Sequence, residues 1–313
     1  MTLDSITSPP ATSSTSGPFP QHAGETPLVE AYGLVPGVRV LVKDETRYAS
    51  GSHKEPAARA VVRHALEAGY RDVVVATCGN YGRAAAAAGA AAGLAVTVVL
   101  PSGWSDGGAA MRALGARVVL VDGSYEEAVD ASRRIAAEKG ALDGNVDGPC
   151  EPQVLAGHGE VVDALAAELD EPPHTIWLPV GNGTTAIAVH RRLVALGWPT
   201  RIVGVGSAGN NPIVTSWPGE YLPLAPDAVA TTDHNQPLVN WHALQGAAAM
   251  DAIRLCGGEV LGASDAELLR ARDALAAHGP TPTAAGAVAL AGLLGRAATL
   301  AAGGTHVVVL SGR

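Results

Sequence analysis

The stretch Thr175-Ile176-Trp177-Leu178-Pro179-Val180-Gly181-Asn182-Gly183-Thr184-Thr185 decides how this chain is read. From Ile176 to Val180 it is apolar without alternation, the pattern of a strand buried on both faces of a parallel sheet. An alanine-rich helical pattern follows Thr185. Between the two, a pair of glycines lets the backbone curl so that successive N–H groups converge. The helix N-terminus adds partial positive charge there. Such a loop can cup a phosphate, with the threonine hydroxyls as further donors. It is neither G-x-G-x-x-G nor a Walker A sequence, so dinucleotide and ATP readings are weak. The alternative is an ordinary strand-to-helix turn capped by Thr184.

The same alternation extends outward in both directions. Strands are predicted at Val38–Val42, Asp72–Ala76, Ala95–Leu100, Ala116–Val121, Thr175–Pro179, Arg201–Gly206 and His306–Leu310. Helices are predicted at Lys54–Ala68, Arg83–Ala92, Gly108–Leu114, Tyr125–Lys139, Gly159–Leu169, Thr185–Leu196, Asp265–Ala277 and Thr283–Ala302. Repeated strand–helix–strand units imply right-handed crossovers and an α/β fold. In open α/β sheets ligands sit at the carboxyl ends of strands, so chemistry is to be sought in those loops.

The bulk properties agree. The chain has 313 residues, 47 % of them hydrophobic, enough for a sizeable core in one large or two medium domains. A net charge of −9 offers nothing to nucleic acid or an anionic membrane. Three cysteines, an odd number with none at metal-binding spacing, point to a reducing cytoplasm and to no metal site. No apolar run reaches the roughly 20 residues of a membrane span. Residues 1–24, rich in Ser, Thr and Pro, read as a disordered arm.

Three more loops carry chemistry-bearing residues. In Ser50-Gly51-Ser52-His53-Lys54-Glu55-Pro56 a lysine stands at a loop-to-helix junction, in a chain with only 21 Lys and Arg. Thr77-Cys78-Gly79-Asn80-Tyr81-Gly82 follows one apolar strand, where Asn80 can cap a helix or hold a ring hydroxyl. At residues 307–313 a buried strand delivers Ser311 at its carboxyl end. An amine, a phosphate cup, an amide and a strand-end hydroxyl are what an aldehyde cofactor with a phosphate tail and a pyridine ring requires.

On these residues the sequence resembles the fold-type II pyridoxal-phosphate enzymes, and among them the threonine synthases of the tryptophan synthase beta superfamily. Thr26-Pro27-Leu28 matches the family's opening. Lys43-Asp44-Glu45 followed by Gly51-Ser52-His53-Lys54 resembles K-x-E…G-S-F-K, and Thr77-Cys78-Gly79-Asn80 resembles S-T-G-N. Gly115-Ala116 through Gly123, Val205 to Gly209, Asn211 to Val214 and Leu238-Val239-Asn240-Trp241 fall in the family's order.

The resemblance implies two open twisted parallel-sheet domains with helices on both faces and the cofactor in the cleft between them. Residues 25–56 and 147–313 would form the larger domain, and residues 57–146 the inserted smaller one. It implies pyridoxal 5'-phosphate bound by Lys54 as the Schiff-base lysine and by Asn80 at the 3-hydroxyl. Gly181, Asn182, Gly183, Thr184 and Thr185 would form the phosphate cup, and Ser311 would meet the pyridine nitrogen. Ser52, His53, Thr77, Cys78, Tyr81 and His158 would lie near a small amino-acid substrate. A homodimer is usual for the family. The implied chemistry is elimination or replacement at the β carbon, opened by α-proton abstraction at Lys54.

The departures lie on the substrate side. His53 stands in place of Phe, either as a second acid/base group or as a ring filling the space of a ring; packing is the favoured reading. The segments Asn145–Gly159 and Thr232-Asp233-His234-Asn235 lack the arginines with which threonine synthases would hold the phosphate of phosphohomoserine. His158 and His234 are weaker substitutes. A substrate other than phosphohomoserine is therefore expected, with true threonine synthase as the alternative and a non-catalytic relative as a third.

Overall fold

The computed structural model describes residues 25–77, 79–103 and 106–313. The arm expected at 1–24 and the candidate Cys78 lie outside the described residues.

In chain order the elements are β1 (Leu28–Glu30), β2 (Arg39–Asp44), α1 (Glu55–Glu67), β3 (Asp72–Ala76), α2 (Asn80–Ala92), β4 (Ala95–Pro101), α3 (Ala109–Ala113), β5 (Arg117–Val121) and α4 (Tyr125–Lys139). Then come β6 (Leu142–Asp143), α5 (Glu151–Glu168), β7 (Thr175–Pro179), α6 (Thr184–Leu196), β8 (Arg201–Ser207) and α7 (Pro212–Ser216). The last are α8 (Gly246–Leu255), β9 (Glu259–Ala263), α9 (Asp265–Leu275), α10 (Val288–Gly295) and β10 (Thr305–Leu310).

The strands form two sheets. The larger has the order β1-β2-β10-β7-β8-β9 and the smaller β5-β4-β3-β6. Every pairing is parallel except β1 with β2. The apolar runs explain this. Along β7, Ile176 and Leu178 join the core under α5, α6 and α8, while Trp177 joins the core under α9 and α10. Along β3, Val73 and Val75 face α1 and α2, and Val74 faces α4. A strand with a helix on each side needs apolar side chains at successive positions.

Lys43 is wholly buried on β2. Its Nζ donates to the Thr26 carbonyl at 2.7 Å and to Glu168 at 2.6 Å, tying β2 to the end of α5.

Some expected elements change extent. The helix expected to begin at Gly159 begins at Glu151, with Pro152 in its first turn. The helix expected over 283–302 shrinks to Val288–Gly295, flanked by 3-10 turns. Its first residue and the one just past its last are drawn into other bonds: Thr283 N–H donates to the Gly312 carbonyl at 3.0 Å, and Gly303 N–H to the Gly37 carbonyl at 2.9 Å. Strands β1, β6 and β9 and helices α7 and α8 were not anticipated. Among the described residues no helix is long and apolar enough to cross a membrane.

Candidate active site

The carboxyl ends of β3, β7 and β10 open onto one cleft of about 150 Å³. The starts of α1, α2 and α6 point into it, so three positive helix ends face one space.

Lys54 is the residue immediately before α1. The loop ahead of it is fastened on both sides. Ser52 bridges to Gly312, Glu55 accepts the Ser50 N–H at 2.5 Å, and Arg83 donates to the Ser50 carbonyl at 2.6 Å. Pro56 sits in the first turn, where its missing N–H costs nothing. Burial pushes the Lys54 amine down to about 8. A neutral amine is a competent nucleophile and base near neutral pH.

The loop Gly181–Thr185 lies between β7 and α6. Gly183 holds φ +90°, and a Cβ there would collide with the Ala249 side chain. Only glycine fits both the turn and the close approach. The cup is braced from outside by Asn211, which is fully buried. Its Nδ2 donates to the carbonyls of Gly181 at 3.1 Å and Leu238 at 3.1 Å.

Asn80 is the first residue of α2 and lines the cleft. The structure assigns the capping role differently from the sequence reading: Thr77 Oγ1 accepts from Gly79 N–H and Gly82 N–H, each at 3.2 Å. The Asn80 amide is therefore left to the cleft, where Gly312 lies beside it. Ser311 is buried at the end of β10 and lines the cleft. His53, Thr77 and Tyr81 line it too, although the Tyr81 hydroxyl is turned to the Gly144 carbonyl at 2.8 Å.

Two candidates stand behind the wall. Ser52 is wholly buried, and His158 on α5 is 3 % exposed with its ring centroid 5.5 Å from that of His53. Neither lines the cleft. His234 is also absent from the lining. The sequence reading missed Tyr125, Val146 and Gly286, which come from loops and helix starts without motif character. Asn240 had a signal, in Leu238-Val239-Asn240-Trp241, but no role was attached to it.

The lining has a glycine cup at one helix start, an amine that burial makes easier to deprotonate at another, and amide and hydroxyl groups between them. No arginine, aspartate or glutamate is among the described lining residues. This donor set fits pyridoxal phosphate.

Comparison with known proteins leads to the same place. The family model "Pyridoxal-phosphate dependent enzyme" matches residues 19–312. A threonine synthase of Synechocystis sp. is 31 % identical over 304 residues, covering 92 % of this chain and 76 % of that protein. The threonine deaminase of T.th. superposes with a TM-score of 0.76 at 26 % identity, covering 92 % of both chains. A pyridoxal 5'-phosphate-dependent aspartate racemase superposes with a TM-score of 0.80 at 19 % identity, covering 92 % of this chain and 90 % of that one, a likeness of fold. With a match that spans nearly the whole chain and a cleft furnished in this way, the chain belongs to the pyridoxal-phosphate-dependent enzymes, on the fold-type II scaffold.

Proposed function

We propose that the chain catalyses β-elimination or β-replacement on a small, uncharged amino acid of the serine or threonine type. The observation that carries this reading is the cleft lining, which among the described residues offers no guanidinium to a second phosphate. A doubly charged side-chain phosphate is normally met by bidentate arginine.

Lys54 would hold the cofactor aldehyde, Asn80 its ring hydroxyl, Gly181–Thr185 its phosphate and Ser311 its pyridine nitrogen. Pyridoxal phosphate, when bound, supplies the electron sink that makes an α-proton acidic and lets a β substituent depart. The protein's own contribution is placement. Nζ of Lys54 is the base for the α-proton, its proton loosened by burial, which lowers the amine to about 8. The N–H groups of Asn80 and Tyr81, in the first turn of α2, would orient the substrate carboxylate. Residues 57–146 form the smaller domain, which closes against residues 25–56 and 147–313 to exclude water. A homodimer in the cytoplasm completes the proposal.

The threonine synthases at 31 % identity favour a second reading, action on O-phospho-L-homoserine. Absorption spectroscopy during titration with L-serine, O-acetylserine, L-threonine and O-phosphohomoserine separates the two. A spectral change with the neutral amino acids supports our reading, and a response to phosphohomoserine alone replaces it with the second. Lys54→Ala should abolish the visible band and lower turnover by roughly 10²- to 10⁴-fold. A protein that takes up no cofactor would return the non-catalytic alternative.

A further inference from the structure

Ser311 leaves β10 with its carbonyl oxygen turned to the loop that carries Lys54. That oxygen accepts twice from one residue: His53 N–H lies 3.2 Å away and His53 Nδ1 2.9 Å away. A carbonyl can only accept, so Nδ1 carries the hydrogen. Burial first, and neighbouring Lys54 second, push the imidazole down to about 3. The ring is therefore neutral, with Nδ1 protonated and Nε2 bare. His158 packs against it with ring planes tilted by 36° and is itself held neutral by burial, Lys54 and His53. A phenylalanine in this place would fill the space and keep only the main-chain bond to Ser311.

We propose that His53 is a positioning residue: its Nδ1–H, donated to the Ser311 carbonyl, locks the end of β10 to the start of α1. Ser311 and Lys54 then meet opposite parts of one cofactor at a fixed separation. The neighbouring bonds point the same way. Ser52 is bridged to Gly312, and Arg313 N–H donates to the Gly51 carbonyl at 3.1 Å. The bond to Nδ1 is the side-chain member of this clasp, and it is the one that a substitution can remove. The inference rests on the reading of Ser311 as the pyridine-nitrogen partner.

The test uses the full chain, wild type and His53→Phe, His53→Asn and His53→Gln. Two quantities are read: the dissociation constant for pyridoxal phosphate, and the ratio of visible to near-ultraviolet absorption of the bound cofactor. The asparagine amide nitrogen reaches the place of Nδ1, and that of glutamine reaches the place of Nε2. His53→Phe should bind the cofactor roughly three- to tenfold more weakly, as expected for one lost hydrogen bond, with an altered band ratio. His53→Asn should recover both, and His53→Gln neither. Wild-type affinity and band ratio in His53→Phe overturn the proposal, and so does a His53→Asn as impaired as His53→Phe. If His53→Phe does not fold, the asparagine and glutamine variants decide, and equal values in those two overturn it. A wild-type chain that binds no pyridoxal phosphate overturns the cofactor reading and this inference with it, whereas normal wild-type binding with indifferent variants overturns this inference alone.

Discussion

A Cβ placed on Gly157 of α5 would lie 2.5 Å from the Cα of Ala57 in α1. The two helices touch backbone to backbone just beyond the residue that carries the reactive amine. Gly157→Ala has no flexible neighbour to push aside, so the helices must part. We expect a loss of about 1–3 kcal/mol, the usual range for overpacking. Urea unfolding measures it; an unchanged midpoint would mean that the crossing yields freely.

Asn211 should be as sensitive. Besides bracing the phosphate cup, it caps α7, its Oδ1 accepting the Ile213 N–H at 3.0 Å. Asn211→Ala leaves buried carbonyls without their donor, at a cost of about 1–3 kcal/mol. Cofactor affinity should fall with it, because Gly181 loses a support. Thermal unfolding with and without pyridoxal phosphate reads both effects.

The Lys54 amine should show its depressed titration directly. Uptake of pyridoxal phosphate by the cofactor-free chain needs the free amine, so its rate should rise with pH about a midpoint near 8. Between about 8 and the ordinary 10.5 the unfolded chain holds a proton that the folded chain has released, so this group makes stability rise with pH there. A midpoint near 10.5 in stopped-flow uptake would contradict the buried setting.

Glu45 should act in the opposite sense. Burial outweighs the Thr26 hydrogen bond and the Lys43 charge and pushes its carboxyl up to about 7. From about 4.5 to 7 the folded chain retains a proton that the unfolded chain has lost, so stability falls as pH rises through that window. Glu45→Gln keeps the acceptor for Thr26 and removes the titration. The pH dependence of the melting temperature should flatten. Some slope remains, since burial also raises Glu160 to about 7.

What was legible in the sequence, and what was not, follows from which signals are local. Asp72–Ala76 and Thr175–Pro179 were read to the residue because a doubly covered strand announces itself as an unbroken apolar run. Tyr125–Lys139 was equally clear, with Ser124 and Glu127 forming a capping box at its start. The first half of α5 was lost because Pro152, Gly157 and Gly159 look like breaks. Pro152 in fact begins the helix, and Gly157 is demanded by Ala57, a partner no local pattern reveals. The extended helix read at 283–302 erred the other way: alanine content says helix, but bonds to Gly312 and Gly37 claim its ends. At the site, the loops that follow strands were visible. The His53 hydrogen bond was not, and the ring read as packing also makes a polar contact.

His53 and Ser311 are 258 residues apart in the chain. Between them lies almost everything else, yet β10 is the strand that joins β2 to β7 in the middle of the larger sheet. Until it is inserted, β1 and β2 have no sheet to belong to, and the cleft lacks one wall. The strand that joins the two parts of the larger sheet is thus also the one that brings Ser311 to the cleft, so the scaffold and the cofactor site share a single joint.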